Sequence, residues 1–185
     1  MIDENAPQIL NRKIVASSRL FEIEEVHLRF SNGEERYFER IKPRSQGAVM
    51  VIPMLDNDTV LLVREYGTGI DGYNLGFPKG GIEPNEDLLV TANRELQEET
   101  GFAARELQEL KKISLSPSYQ TATMRLVLAR DLYESPLVGD EPEPIVVVPW
   151  KLDDVDELLS HPEFFEARSI AAFLLICRER DRGHL

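Results

Sequence analysis

Glu95, Glu98 and Glu99 stand at i, i+3 and i+4. On a helix that spacing points three carboxylates into one small volume. Like charges so close repel each other unless something neutralises them. Three convergent oxygen donors beside the glycine pair Gly80 and Gly81 suit a hard divalent cation such as Mg2+ or Mn2+. Mg2+ keeps part of its water shell and commonly bridges protein carboxylates to substrate phosphates, so the chemistry suggested is that of a phosphate ester or anhydride. The plain alternative is a solvated acidic helix face with Arg94 paired to Glu98 at i,i+4. Composition alone does not choose between the two.

The segment that must position these carboxylates runs from Gly80 to Phe102. Its first half is turn-rich, with Gly80, Gly81 and Pro84. Its second half has helical periodicity, with Leu88, Leu89, Ala92 and Leu96 expected to face a core. Asn85 is the expected N-cap, with Glu86 and Asp87 in the first turn where negative charge suits the helix dipole. Gly101 is the expected stop.

Gly80, five residues, Glu86, seven residues, Arg94-Glu95-Leu96-Gln97-Glu98-Glu99, one residue and then Gly101-Phe102 resembles the Nudix box. The resemblance implies a Nudix α/β/α sandwich and hydrolysis of a nucleoside diphosphate linked to another moiety. It implies Glu95 and Glu99 as the main ligands of a Mg2+ or Mn2+ cofactor and Glu98 as a further ligand. The backbone carbonyl of Lys79 would complete the shell, and Arg94 and Glu86 would hold the loop against the helix. In ADP-ribose hydrolases of this family the proton acceptor is a glutamate on a loop well after the box. Here the segment Asp140 to Pro144 supplies Glu143 and Glu141. Glu143 is favoured because it adjoins the following strand; Glu98 is the alternative base, and an ordinary acidic surface loop is the plain reading.

Further stretches, Arg64-Glu65-Tyr66, Asn74 to Gly80, Ser116 to Tyr119 and Gly139 to Pro144, resemble the family members that act on ADP-linked compounds. That implies ADP-ribose, diadenosine triphosphate and NADH as substrates, with nucleoside diphosphate sugars or an RNA cap as alternatives. A non-catalytic nucleotide-binding regulator is the alternative of another class. Arg64 and Arg40 are candidate phosphate contacts, each weighed against an ordinary surface arginine. Tyr119, with Phe21, Tyr37, Phe38 and Tyr66, is a candidate for stacking on adenine, against a packing role.

The chain has 185 residues and a net charge of −12. The length suits one sizeable domain. The charge disfavours nucleic acid backbones and anionic membranes as partners, so a phosphate-bearing substrate must meet local cations or metal. Cys177, the single cysteine, lies in an apolar run and reads as a buried small hydrophobe. No intramolecular disulfide is possible, and a cytoplasmic location is expected. The first ten residues lack a basic and apolar leader pattern, and Met1 to Pro7 reads as a frayed end. The apolar runs are too short to span a bilayer.

The remaining pattern is mostly strands. From Ile9, Phe21 to Phe30 and Glu35 to Ile41 flank a hairpin signal at Ser31 to Glu34. These residues form an expected N-terminal antiparallel β-subdomain, 1–45, with Val26, Phe30, Tyr37 and Phe38 and little core of its own. By resemblance it is shared across a homodimer. Pro43 to Gly47 reads as a linker to a second unit, 46–185. There Ala48 to Leu55 reads as a strand buried on both faces, followed by strands over Thr59 to Val63, Leu107 to Ser116, Thr123 to Leu132 and Ile145 to Trp150. A helix starts at Asp153 or Asp154, and a last one spans Glu163 to Arg180. Strands, box helix, strands and two helices amount to an α+β fold with a mixed sheet between helices.

Overall fold

The computed structural model describes residues 6–45, 47–139 and 141–184. Most of the expected frayed segment Met1 to Pro7, and Asp140 of the acidic loop, therefore lie outside the described residues.

Strands β1 (Gln8–Ser17), β2 (Phe21–Arg29) and β3 (Glu35–Pro43) form a three-stranded antiparallel sheet in that order. Gly33 closes the β2–β3 hairpin at a φ of +86°, a conformation glycine adopts freely. Only Glu24 and Val26 of this sheet are buried, while Ile9, Ile14, Phe21, Tyr37, Phe38 and Ile41 remain exposed. The sheet is joined to the rest of the chain at Ile41. Its N–H donates to the Tyr119 carbonyl at 2.7 Å, and its carbonyl accepts from Thr121 N–H at 3.0 Å.

The remaining residues build two further sheets. Strands β4 (Ala48–Pro53), β7 (Lys79–Gly81), β8 (Phe102–Ser114) and β9 (Thr123–Glu134) form a mixed sheet in the order β7-β4-β9-β8, with β4 parallel to β9. Strands β5 (Thr59–Gly67), β6 (Gly72–Gly76) and β10 (Val146–Lys151) form an antiparallel sheet in the order β10-β5-β6. Helix α1 (Leu88–Thr100) covers one side of β4, where Val49 and Val51 pack with Ala92 and Leu96. On the other side Met50 and Ile52 join Phe77 and the Phe173 and Ile176 side chains of α3 (Ala167–Asp181). The short α2 (Val155–Ser160) adds Leu158 to that cluster. Full burial of each such side chain is worth about 1.5–3 kcal/mol. Strand β4 is buried on both faces because helices lie on both sides of its sheet, as its unbroken apolar run predicts. The α+β layering with a mixed central sheet and a separate N-terminal sheet is the architecture expected from the element order.

Local details differ from the expectations. Asn85 is not the N-cap. Pro84 and Asn85 are the central residues of a turn closed by Glu86 N–H on the Glu83 carbonyl, and Asn85 has a φ of +69°. Asparagine tolerates that conformation, which places the cap two residues later. Asp87 is the cap, accepting from Leu89 N–H at 2.8 Å and Val90 N–H at 3.4 Å. Leu89 is consequently exposed rather than core-facing. Strand β8 starts directly after Gly101, five residues earlier than expected. Helix α3 starts at Ala167, after the expected Glu163, because Glu166 caps it through Arg168 N–H and Ser169 N–H.

The Glu166 cap reaches further than its helix. Ser169 Oγ donates to Glu166 Oε2 at 3.0 Å and accepts from Phe77 N–H at 3.2 Å. That chain fixes α3 against the residue two before Lys79. A Cβ on Gly76 would stand 2.7 Å from the same Oγ, so a larger residue there would displace the Ser169 hydroxyl. Burial alone would raise the Glu166 carboxyl, but hydrogen bonds from Arg168 and Ser169 outweigh it and hold it below its ordinary value. A depressed folded value stabilises the protein above the unfolded carboxylate range and ceases to as pH falls through the folded value. Glu166→Ala is expected to cost about 1 kcal/mol at neutral pH, the usual loss for an N-cap. In urea titrations the gap to the parent should narrow only below about pH 4, near the unfolded value.

Candidate active site

The box turns from strand to helix around Gly80, and the site is built on that close approach. The Glu95 carboxylate lies so near the Gly80 backbone that a Cβ there would stand 2.0 Å from Glu95 Cδ. Only glycine permits it. Gly101 ends the helix with a φ of +79°, its N–H donating to the Gln97 carbonyl.

Arg94 ties the loop to the helix. Its Nε donates to Glu86 Oε1 at 3.0 Å and its Nη2 to Glu86 Oε2 at 3.2 Å. Its Nη1 stands 2.8 Å from Glu95 Oε1 and 2.9 Å from Glu98 Oε2. The hydrogen bond to Glu86 does most to raise the guanidinium's pKa above its ordinary value.

Glu99 occupies the deepest position and is 4% exposed. Its Oε1 accepts from Lys79 N–H at 3.2 Å, while its Oε2 is buried with no hydrogen-bond partner among the described residues. Burial, opposed by the nearby Lys79 ammonium, pushes its pKa up to about 8. Lys79 Nζ pairs with Glu65. Burial also raises Glu95, against the pull of Arg94, with Glu98 and Glu141 adding to the rise. An orphaned, buried carboxylate oxygen is costly unless a cation or proton satisfies it. Among the described residues, no three acidic, histidine or cysteine side chains already converge as a formed metal cage. The oxygen-only donor set and the unsatisfied Glu99 Oε2 nevertheless fit a hard divalent cation.

A cleft of about 640 Å3 opens over this cluster. Gly80, Arg94, Glu95 and Glu98 line one side, with Lys79 beside them. Glu141 lines the other side, lying so close over Gly139 that a Cβ there would stand 2.2 Å from Glu141 Oε2. Glu143 does not line this cleft but the one beside it, which Glu98 and Glu141 also line. Its Oε1 accepts from the Tyr73 hydroxyl at 2.7 Å.

The structure separates the expected phosphate and adenine contacts from this cleft. Arg64 makes two 2.7 Å hydrogen bonds to Glu163 and does not line it. Its guanidinium is engaged in an ion pair across the fold. Arg40 is bonded to the buried Glu24 at 2.8 and 2.5 Å within the N-terminal sheet. The Tyr119 side chain is exposed, and its contribution is the backbone carbonyl that Ile41 engages. Arg44, which the sequence places only in a linker, lines the cleft with Lys79 and Arg94. Its Nη2 donates to Ser17 Oγ at 2.6 Å. A basic residue a few positions before the first buried strand was the only available signal.

Residues 7–40 match the family described as NudE-type Nudix hydrolase N-terminal domain, and residues 44–174 match the NUDIX domain. The chain is 49% identical over 170 residues to the ADP compounds hydrolase NudE of Escherichia coli, covering 92% of this chain and 91% of that protein. It is 28% identical over 172 residues to the ADP-ribose pyrophosphatase of Bacillus subtilis, covering 88% and 91%. A crystal structure of an ADP compounds hydrolase superposes with a TM-score of 0.86 at 47% identity, covering 97% of each chain.

Gly80→Ala tests the packing of Glu95 on the loop. The added methyl displaces the Glu95 carboxylate rather than the core, so the variant should remain folded. Its Mn2+ affinity, read by electron paramagnetic resonance, should fall about 10–100-fold, the cost of disturbing a ligand's support. Unchanged affinity would show that Glu95 does not need its present position.

Proposed function

The chain belongs to the Nudix hydrolase family, and from that premise we propose that it hydrolyses the phosphoanhydride bond of ADP-linked compounds. ADP-ribose, NADH and diadenosine triphosphate form the substrate class, with AMP or ADP and the second phosphate-bearing moiety as products. The observation that carries this reading is the buried, half-satisfied Glu99 carboxylate beside Glu95, which itself lines a cleft with cations at its rim.

Glu95, Glu98 and Glu99, with the Lys79 carbonyl, would hold Mg2+ or Mn2+. Bound there, the ion would neutralise pyrophosphate charge and would make a bound water ionise more readily. The protein's own groups do the rest. Arg94 keeps Glu86, Glu95 and Glu98 together and fixes the loop at Gly81 through its carbonyl, 3.4 Å from Nη2. Gly80 leaves room for the Glu95 carboxylate. Arg44 meets a substrate phosphate at the rim and offsets part of the acidity of the site.

Glu141, rather than the expected Glu143, accepts the proton from the attacking water. It faces Glu95 and Glu98 across the cleft from a separate loop, so it need not be spent as a ligand. Glu143 is already engaged by Tyr73. Glu98, the other alternative, is engaged by Arg94.

The N-terminal sheet completes a homodimer. Its exposed Phe21, Tyr37, Phe38 and Ile41 form a surface more apolar than a lone subunit favours. The site of action is the cytoplasm, which suits a chain with one buried, free thiol. No helix is long and apolar enough to cross a membrane among the described residues.

Two experiments test these assignments. Hydrolysis of ADP-ribose should stop in excess chelator and return with Mg2+ or Mn2+. Glu141→Gln should then lower kcat about 10²–10⁴-fold, the usual contribution of a general base, with metal binding retained. Equal turnover under chelation would remove the metal from the reading, and a near-normal Glu141→Gln rate would remove the base. For the assembly, light scattering at micromolar concentration should give the mass of two chains, and Phe38→Glu should shift it toward one. A fully active monomer would contradict the dimer.

A further inference from the structure

The loop that brings Glu141 to the cleft has few attachments of its own. Among the described residues its backbone bonds only near its start, where Leu137 N–H meets the Gln97 carbonyl at 3.4 Å. Beyond that, the side chain of Glu143 is its tether. Tyr73 Oη donates to Glu143 Oε1 at 2.7 Å.

Tyr73 is held in place on both sides. The Arg64 guanidinium carbon lies 4.0 Å from the ring centroid, and the Tyr66 ring meets it edge-on at 5.6 Å. Arg64 cannot drift, because two 2.7 Å hydrogen bonds bind it to Glu163. The Glu163 carbonyl in turn accepts from Leu75 N–H at 2.8 Å. In register, Arg64 stands between Leu75 on β6 and Val146 on β10, the strand that the loop enters. Ring, clamp and loop exit thus share one sheet.

The segment between the tether and Glu141 is stiff. Glu141 and Glu143 each precede a proline, Pro142 and Pro144. Proline fixes its own φ and restricts the residue before it to extended conformations. Fixing Glu143 therefore fixes most of the freedom of Glu141.

We propose that Tyr73 is a positioning residue whose hydroxyl latches Glu143 and thereby sets the direction in which Glu141 faces Glu95 and Glu98. The proposal rests on the reading of Glu141 as proton acceptor. The carboxylate also holds the phenol proton in place, raising Tyr73 above its ordinary value. The arrangement accounts for Glu143 adjoining the site without lining its main cleft. It also accounts for a structural Arg64, whose place is over the latch.

The test compares Tyr73→Phe, Glu143→Leu, their double variant and Glu141→Gln. Misplacing a reacting group by about an ångström costs up to about a hundredfold. Tyr73→Phe and Glu143→Leu should each lower kcat about ten- to a hundredfold, with KM within about twofold of the parent. The double variant should be no worse than either single change, because the first removes the donor and the second the acceptor of one bond. Hydrogen exchange of the peptide spanning 137–145 should quicken in both, while that of α1 stays unchanged. A parental kcat in Tyr73→Phe, additive losses in the double variant, or unchanged exchange would each overturn the proposal. Exchange reads the latch whatever Glu141 does; a near-normal rate in Glu141→Gln overturns the base assignment alone.

Discussion

One guanidinium holds the site together. Arg94 meets Glu86 from the loop and Glu95 and Glu98 from its own helix, all within 3.2 Å. Without it the turn at Pro84 and Asn85 would have no fixed distance from the helix, and neighbouring carboxylates would repel one another. The grip is partial. It leaves Glu99 unassisted by arginine, with one oxygen satisfied by the Lys79 amide and the other without a partner among the described residues. Arginine organises the rim of the acidic cluster and a cation suits its floor. This division lets the loop keep its shape whether or not the floor is charged.

The box helix and its carboxylates were legible because their geometry is local. Spacing of three and four residues, a glycine stop and an apolar stripe all act within a few turns. The misplaced cap has a local cause too: Asn85 and Asp87 both suit a cap, and only the conformation imposed by Pro84 assigns Asn85 to the turn. The unbroken apolar strand β4 read correctly because burial on both faces leaves no alternation.

What the sequence did not reveal depends on partners far along the chain. Arg64 looked free to meet phosphate, yet its carboxylate partner Glu163 is 99 residues away. Glu143 accepts from the Tyr73 hydroxyl, a partner that lies 70 residues earlier. Arg44 drew no notice inside a linker because its value lies in where the chain folds back. Each case is an isolated side chain whose role is set by tertiary contact, to which periodicity and propensity are blind. Net charge was similarly uninformative: −12 describes the whole chain, whereas the cleft rim carries Arg44 and Lys79.

Main-chain atoms make much of the seam between the N-terminal sheet and the remainder, beside the Arg44 side chain on Ser17. Ile41 exchanges hydrogen bonds with Tyr119 and Thr121 through N–H and carbonyl groups alone, and the two family matches meet nearby, ending at 40 and beginning at 44. Bonds of this type do not read residue identity, but they do read count. Evolutionary drift can replace the side chains along the seam at little cost. A one-residue insertion or loss within β3 at Ile41 would instead put the opposite face of the strand against its partner. Lineages of this protein should therefore vary in spelling across the junction and hold its length.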